Sequence, residues 1–119
     1  MQTITRTNRA AKWYGGKWIR PAKRFAIYLR DRFTCVHCRR DLRDAEPAEI
    51  TLDHVTPWID GGSNEATNLV TSCRSCNSSR GCGGMKPAAA RRAARQTALP
   101  LAKFLEMAKA IIAGKEGRE

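Results

Sequence analysis

The chain has 119 residues, with 22 lysines and arginines against 11 aspartates and glutamates, which gives a formal net charge of +11. This length suits a single domain of about 100–150 residues. No run of about 20 apolar residues is present that would cross a membrane, and the first residues, MQTITRTNRAAKWYGG, lack the apolar segment of a secretory signal. We therefore expect a cytoplasmic protein with no membrane partner.

The charge is unevenly distributed along the chain. Residues 1–43 carry twelve basic and two acidic side chains, residues 44–85 carry two basic and six acidic ones, and residues 86–119 carry eight basic and three acidic ones. Two basic flanks around an acidic centre favour a polyanionic partner, most simply nucleic acid. A surface tuned for solubility is the alternative interpretation.

Residues 1–20 form a basic N-terminal arm in which aromatic residues alternate with basic ones. The basic side chains suit contacts with phosphates, and the aromatic ones either stack on bases or pack against the domain. The residues concerned are Arg6, Arg9, Lys12, Trp13, Tyr14, Lys17, Trp18 and Arg20.

The central part of the chain predicts a small ββα unit. A helix is expected over 21–32, where a proline opens the amphipathic segment PAKRFAIYLRDR. Alternating apolar residues predict a strand over 49–55, and the run DGGSN at 60–64 predicts a loop. A second short strand is expected over 69–71, followed by a helix between Cys73 and Gly81.

The C-terminal part of the chain predicts two helices. Residues 88–98, AAARRAARQTA, have strong helix propensity and predict a helix with a basic face. After Pro100 an apolar stripe at helical spacing is expected to pack on the domain; it consists of Leu101, Phe104, Leu105, Ala108, Ile111 and Ile112. The domain organisation expected is therefore an arm at 1–20, a core at 21–84, and a basic helical extension at 85–119 packed on or beside the core.

The five cysteines are sorted by their spacing. Cys35 and Cys38 form one C-x2-C pair, Cys73 and Cys76 form a second, and Cys82 is left as a free thiol. In a chain without a secretory signal, two such pairs indicate a tetrahedral Zn²⁺ site that reinforces a small core. Redox thiols, a disulfide and a tetrathiolate iron site are the alternatives. Between the first two ligands, His37 is expected to point away from the ion.

Several motifs in fixed order resemble those of the HNH endonucleases. They are Leu52-Asp53-His54-Val55, Gly61-Gly62, Asn68-Leu69 and Cys73-x-x-Cys76-Asn77-x-x-Arg80, preceded by the Cys35–Cys38 pair. The resemblance covers roughly residues 28–84. It implies a small α+β protein with a ββα-metal core, the HNH or His-Me finger fold, in which a divalent ion lies between the hairpin and the helix.

The chemistry of phosphodiester hydrolysis suits the same residues. His54 is a suitable general base because imidazole exchanges protons near neutral pH. Asp53 and Asn77 offer hard oxygen ligands for Mg²⁺ or Mn²⁺, which would act as a Lewis acid. Asn68 resembles the middle residue of the family motif, where it shapes the loop and orients the histidine. Singly, each of these residues also has an ordinary structural role, such as capping a helix or a turn.

The Asp53-His54 pair poses a geometric problem. Adjacent residues of a regular strand point to opposite faces, so both side chains reach one cleft only with some distortion. We therefore expect a twisted or bulged strand at this point, or an ion bound at the edge of the strand.

The function predicted from the sequence is metal-dependent cleavage of DNA, expected to be double-stranded. A non-catalytic zinc-knuckle module that binds nucleic acid is the alternative, since it needs the cysteines and basic segments but not the HNH motif residues. Proteins of phage packaging or restriction systems are the protein partners to expect. The basic residues expected to contact DNA are Arg74, Arg80, Lys86, Arg91 and Arg92.

Overall fold

The computed structural model describes residues 19–80 and 84–117, with side chains up to residue 114. Four helices are described: α1 (Pro21–Arg30), α2 (Arg74–Arg80), α3 (Pro87–Thr97) and α4 (Ala102–Gly117). Two strands, β1 (Ile50–His54) and β2 (Leu69–Cys73), form an antiparallel sheet, and three short 3₁₀ turns lie at Pro47–Glu49, Trp58–Asp60 and Ala66–Asn68. The small α+β fold with a ββα unit is confirmed, whereas residues 1–18 of the N-terminal arm and Cys82 lie outside the described residues.

Helix α1 begins at a proline and buries one apolar side. Pro21 occupies the first helical position, where its missing N–H breaks no intrahelical hydrogen bond. Phe25, Ile27 and Tyr28 are buried, and the rings of Phe25 and Tyr28 contact Phe33, which follows the helix, at centroid distances of 5.8 and 5.6 Å. This aromatic cluster holds the segment after the helix on α1, and α1 itself contacts β2.

The β-hairpin is buried on both faces. Its register runs without interruption from Ile50 opposite Cys73 to His54 opposite Leu69, so the bulge considered from the sequence is absent from β1. One face, with Ile50, Leu52 and Leu69, belongs to the same core cluster as α1. On the other face Val70 packs with Val36 and with Ala93 of α3. The hairpin is therefore the middle layer between α1 and the later helix.

A buried ion pair joins α1 to the sheet. The guanidinium of Arg30 donates to the Asp31 carboxylate at 2.7 and 3.1 Å and to the backbone oxygens of Ala66 and Leu69 at 3.0 and 2.6 Å. The same carboxylate accepts hydrogen bonds from the backbone N–H and the hydroxyl of Thr71, at 2.9 and 3.0 Å. These contacts fix the end of α1 against β2.

Substitution of Asp31 by alanine is expected to lower the free energy of unfolding by about 3–5 kcal/mol, because it leaves the Arg30 charge buried without its partner. Both side chains are almost fully inaccessible, at 1% and 0% exposure. Urea unfolding of the metal-loaded protein measures this difference. The matched control is Asp44→Ala at an exposed position, and equal stability of the two variants would contradict the assigned role.

The C-terminal segment packs onto the core. Helix α4 contacts α1, with Ala108 fully buried and Phe104, Leu105 and Ile112 half-buried against the main cluster. The predicted stripe is correct for these residues, but Ile111 remains 41% exposed because it lies at the edge of the helical face. Within the described part of the chain, none of the helices has the length and apolar character needed to cross a membrane.

Candidate active site and metal centre

Four cysteines converge at one point where the hairpin meets α2. The Sγ atoms of Cys35, Cys38, Cys73 and Cys76 all lie within 4.8 Å of one another. The first pair lies in a turn closed by a bridge between Thr34 and Asp41, and the second pair spans the end of β2 and the first turn of α2. The spacing of the cysteines therefore predicted a real cluster, and the structure positions four sulfur ligands for one metal ion.

Backbone N–H groups around the cluster stabilise negative charge on sulfur. The N–H groups of His37 and Cys38 donate to Cys35 Sγ at 3.4 and 3.5 Å, and the N–H of Cys76 donates to Cys73 Sγ at 3.4 Å. Burial opposes ionisation of Cys35, but backbone hydrogen bonds lower the pKa of its thiol to about 6. Burial and neighbouring thiols raise the pKa of Cys76 instead. Metal binding would therefore displace protons from the cluster.

The first cysteine turn is attached to the sheet and to α3. The N–H of Val36 donates to the carbonyl of Thr71 in β2 at 3.0 Å. From the opposite side, the guanidinium of Arg92 donates to the carbonyls of Val36 and His37 at 2.9 and 3.0 Å. Arg92, predicted from the sequence to contact DNA, is thus engaged in holding α3 on the cysteine turn.

The Asp53 carboxylate is buried and paired with two side chains. It is 5% exposed and accepts a hydrogen bond from His37 Nε2 to Oδ2 at 2.7 Å. Arg80 of α2 donates to Oδ2 at 3.0 Å and to Oδ1 at 2.8 Å, and its Nη2 also donates to the backbone oxygen of His54 at 2.6 Å. His37 therefore points away from the sulfur cluster, as expected, and links the cysteine turn to β1.

The His54 side chain is oriented by the loop that follows β1. Its Nε2 donates to Asn64 Oδ1 at 2.8 Å, and the backbone oxygen of Asn64 accepts a hydrogen bond from Lys23 of α1 at 2.7 Å. Since β1 is regular, His54 and Asp53 project from opposite faces of the hairpin. Arg80 contacts both residues, because it donates to the Asp53 carboxylate and to the backbone oxygen of His54.

Asn68 fixes the shape of the same loop. Its amide oxygen accepts a hydrogen bond from the N–H of Thr56 at 2.8 Å, and its amide nitrogen donates to the carbonyls of Thr56 and Ser63 at 3.1 and 2.8 Å. Gly62 is required beside it, because an added Cβ would lie 1.8 Å from the Thr56 oxygen and 2.8 Å from the Asn68 amide nitrogen. Asn68 thus acts on the loop backbone, and Asn64 contacts the histidine.

The remaining predicted residues lie on or beside α2 and α3. Asn77 is half-buried on α2. Arg74 donates to the carbonyl of Ala48 at 2.7 Å, which joins the start of α2 to the turn before β1. Lys86 and Arg91 are exposed and present charge to solvent.

Three contacts of this site were not predicted from the sequence: His37 with Asp53, Arg80 with Asp53, and Asn64 with His54. Arg80 was expected to bind phosphate, and Asn64 was taken only as a loop residue. A histidine inside a C-x2-C turn and an asparagine in the loop after a Gly-Gly pair were the available signals for two of these positions. They do not identify the partners, because residues this distant in sequence are brought together by the tertiary fold.

A comparison with protein families agrees with this geometry. The family model described as HNH endonuclease matches residues 35–82, a segment that contains both cysteine pairs, the hairpin and α2. No curated protein and no solved structure gave a significant match to the chain. Residues 35–82 of the chain therefore match an HNH endonuclease domain, and the four cysteines of this segment are placed to bind a metal ion.

Proposed function

We propose that this protein is a metal-dependent DNA endonuclease that hydrolyses phosphodiester bonds in double-stranded DNA, in the cytoplasm of a bacterium or phage-infected cell. The observation that carries the proposal is the position of His54 at the end of β1, held by Asn64 at 2.8 Å, within the segment that matches the HNH family. The match of residues 35–82 to that family supports a nucleic-acid substrate. The tetracysteine cluster supports a structural Zn²⁺, because four thiolates suit tetrahedral zinc.

His54 is the proposed general base. Its Nε2 carries the proton that is donated to Asn64 Oδ1, so in the neutral ring Nδ1 is the nitrogen that can accept a proton. A water molecule that donates to Nδ1 would lose its proton as it attacks the phosphorus. Asn64 and Asn68 assist indirectly, the first by fixing the tautomer of the ring and the second by holding the loop.

Asp53 and Asn77 are the proposed ligands of Mg²⁺ or Mn²⁺. Carboxylate and amide oxygens are the donors that such cations prefer, and β1 and α2, which carry them, are in contact. Asp53 Oδ1 accepts a single hydrogen bond, from Arg80, among the described residues, so it retains a lone pair for an ion. A bound cation would stabilise charge on the phosphate and the leaving oxygen; because Arg80 is itself cationic, it would have to yield part of its contact.

Phosphate binding is proposed for the exposed basic residues Lys86 and Arg91. Arg74, Arg80 and Arg92 already donate to oxygens of the protein, so their contribution to DNA binding would require them to share these bonds. Proteins of a phage packaging or restriction system remain the proposed partners.

Substitution of Asn77 by alanine is expected to raise the Mg²⁺ concentration for half-maximal cleavage about 10-fold or more, since one oxygen ligand of the cation is lost. The melting temperature of the metal-loaded protein should change little, because Asn77 is only half-buried. A titration of cleavage rate against Mg²⁺ measures the shift, with Ser78→Ala on the same helix as the control. An unchanged Mg²⁺ requirement would exclude Asn77 as a ligand.

The alternative function is a zinc-knuckle module that binds nucleic acid without cutting it. The observation that favours it is the pairing of Asp53 with both His37 and Arg80, which a purely structural carboxylate would also show. The two functions differ in one result, which is strand cleavage on addition of Mg²⁺ or Mn²⁺.

A further inference from the structure

The loop that joins the two strands exposes two large apolar side chains beside His54. Trp58 is 68% exposed and Ile59 is 73% exposed, whereas Leu99, Met107 and Ile111, the other exposed large apolar residues described, range from 41% to 45%. The rings of His54 and Trp58 lie 6.4 Å apart. Adjacent apolar side chains held in water beside a reactive group indicate a contact surface for a ligand.

The conformation that exposes them is fixed by the backbone. In the 3₁₀ turn Trp58–Asp60, the N–H groups of Asp60 and Gly62 both donate to the carbonyl of Pro57, at 2.9 and 3.0 Å. Gly61 closes the turn at a φ of 89°, a value that residues other than glycine rarely adopt. With the loop also held by Asn68, the backbone that carries the two side chains is fixed before any partner binds, which lowers the entropic cost of binding.

The position and charge of the loop favour contact with the bases of a nucleic acid rather than with its phosphates. Successive bases of a strand are about 3.4 Å apart, so a ring 6.4 Å from His54 lies within about two nucleotides of a phosphodiester at that histidine. The loop also carries Asp60 and Glu65, both exposed, whose charges repel phosphates. The surface available to this loop is therefore the apolar face of a base.

We propose that Trp58 and Ile59 form a base-contact surface that binds duplex DNA opened next to the bond to be cut. Trp58 stacks on an unstacked base and Ile59 packs against the adjacent step, in the manner of apolar side chains that wedge into DNA. This inference rests on the proposed function, since it names the form of DNA that the same site accepts. Unstacking costs least at mispaired bases, so the protein should prefer a duplex that is already open.

The test compares binding to a fully paired duplex with binding to the same duplex carrying two adjacent mismatched pairs. Fluorescence anisotropy is measured without Mg²⁺ or Mn²⁺, so no cleavage takes place. We expect the wild type to bind the mismatched duplex about tenfold more tightly, and Trp58→Ala to reduce this preference to within about twofold. Trp58→Phe should keep most of it. The salt dependence of binding should not change, because no phosphate contact is lost.

Leu99→Ala is the matched control, since it removes another exposed apolar side chain, and Ile59→Ala provides a second, independent variant. The proposal would be overturned if the wild type and Trp58→Ala showed the same preference for the mismatched duplex. It would also be overturned if the wild type showed no such preference, and the surface would then be available to another macromolecule. A preference that depends on Trp58 in a protein that never cuts DNA would support the base contact and overturn only the nuclease assignment.

Discussion

Substitution of Cys73 by alanine is expected to release the structural metal ion and to unfold the ββα unit. Cys73 ends β2 and is 3% exposed, and its Sγ lies 4.0 Å from that of Cys38. Zinc binding contributes about 10–16 kcal/mol in small tetrahedral sites, which equals or exceeds the whole free energy of unfolding of a typical domain, about 5–15 kcal/mol. The cluster connects the turn at 35–38 to the hairpin and α2, so the fold depends on it.

Metal content by native mass spectrometry and thermal unfolding by circular dichroism measure this effect together. The expected result is loss of one bound ion and loss of the cooperative transition. Cys82→Ser is the control, since its spacing assigns it to neither pair, and it should retain the ion. A Cys73→Ala protein that melts cooperatively at the wild-type temperature would contradict the structural role of the metal.

Substitution of His54 by alanine is expected to lower the rate of DNA cleavage by about 10²–10⁴-fold, the contribution of a general base. The imidazole is only half-buried, and its hydrogen bond with Asn64 Oδ1 joins it to the loop that follows β1. The fold and DNA affinity should therefore remain, and the loss should be in the chemical step.

Single-turnover cleavage of a labelled duplex separates that step from binding. Asn64→Ala should give a smaller loss than His54→Ala, because it removes the orientation of the ring but keeps the base. Thr67→Ala, an exposed change in the same loop, should cut at the wild-type rate. Cleavage by His54→Ala at the normal rate would refute the assignment of the base.

The elements of the fold could be predicted because their signals are local. Pro21 marks the start of α1 and strong helix-forming residues mark α3, alternation marks β1, and the two C-x2-C pairs mark the metal cluster. Each of these patterns depends on neighbouring residues only, so the sequence is sufficient to place them within a few positions.

The environment of Asp53 could not be predicted in the same way. Its partners His37 and Arg80 come from the cysteine turn and from α2, and only the assembled fold brings them together. Of the arrangements expected at Asp53-His54, the bulge is wrong, because the register of β1 is regular. Since the two side chains project from opposite faces, an ion bound at the edge of the strand is the arrangement that stays a prediction.

The net charge of +11 also has a different meaning once the contacts are known. Arg30, Arg80 and Arg92 donate to oxygens inside the protein and so serve the fold and the site. Among the described residues, the exposed basic side chains that a polyanion can contact include Lys86, Arg91 and Arg95, which lie on or beside α3. Basic composition alone does not separate these two roles.

Metal-dependent DNA cleavage is tested by the conversion of supercoiled plasmid by zinc-loaded protein freed of other divalent ions. Mg²⁺ or Mn²⁺ is then added to one set of reactions and omitted from the other; EDTA is avoided because it would also strip the tetracysteine site. Nicked or linear DNA is expected only where Mg²⁺ or Mn²⁺ is present, and none with His54→Ala. Plasmid that stays supercoiled with either ion, while a mobility shift shows that the protein has bound it, would contradict the nuclease assignment and leave a nucleic-acid-binding module.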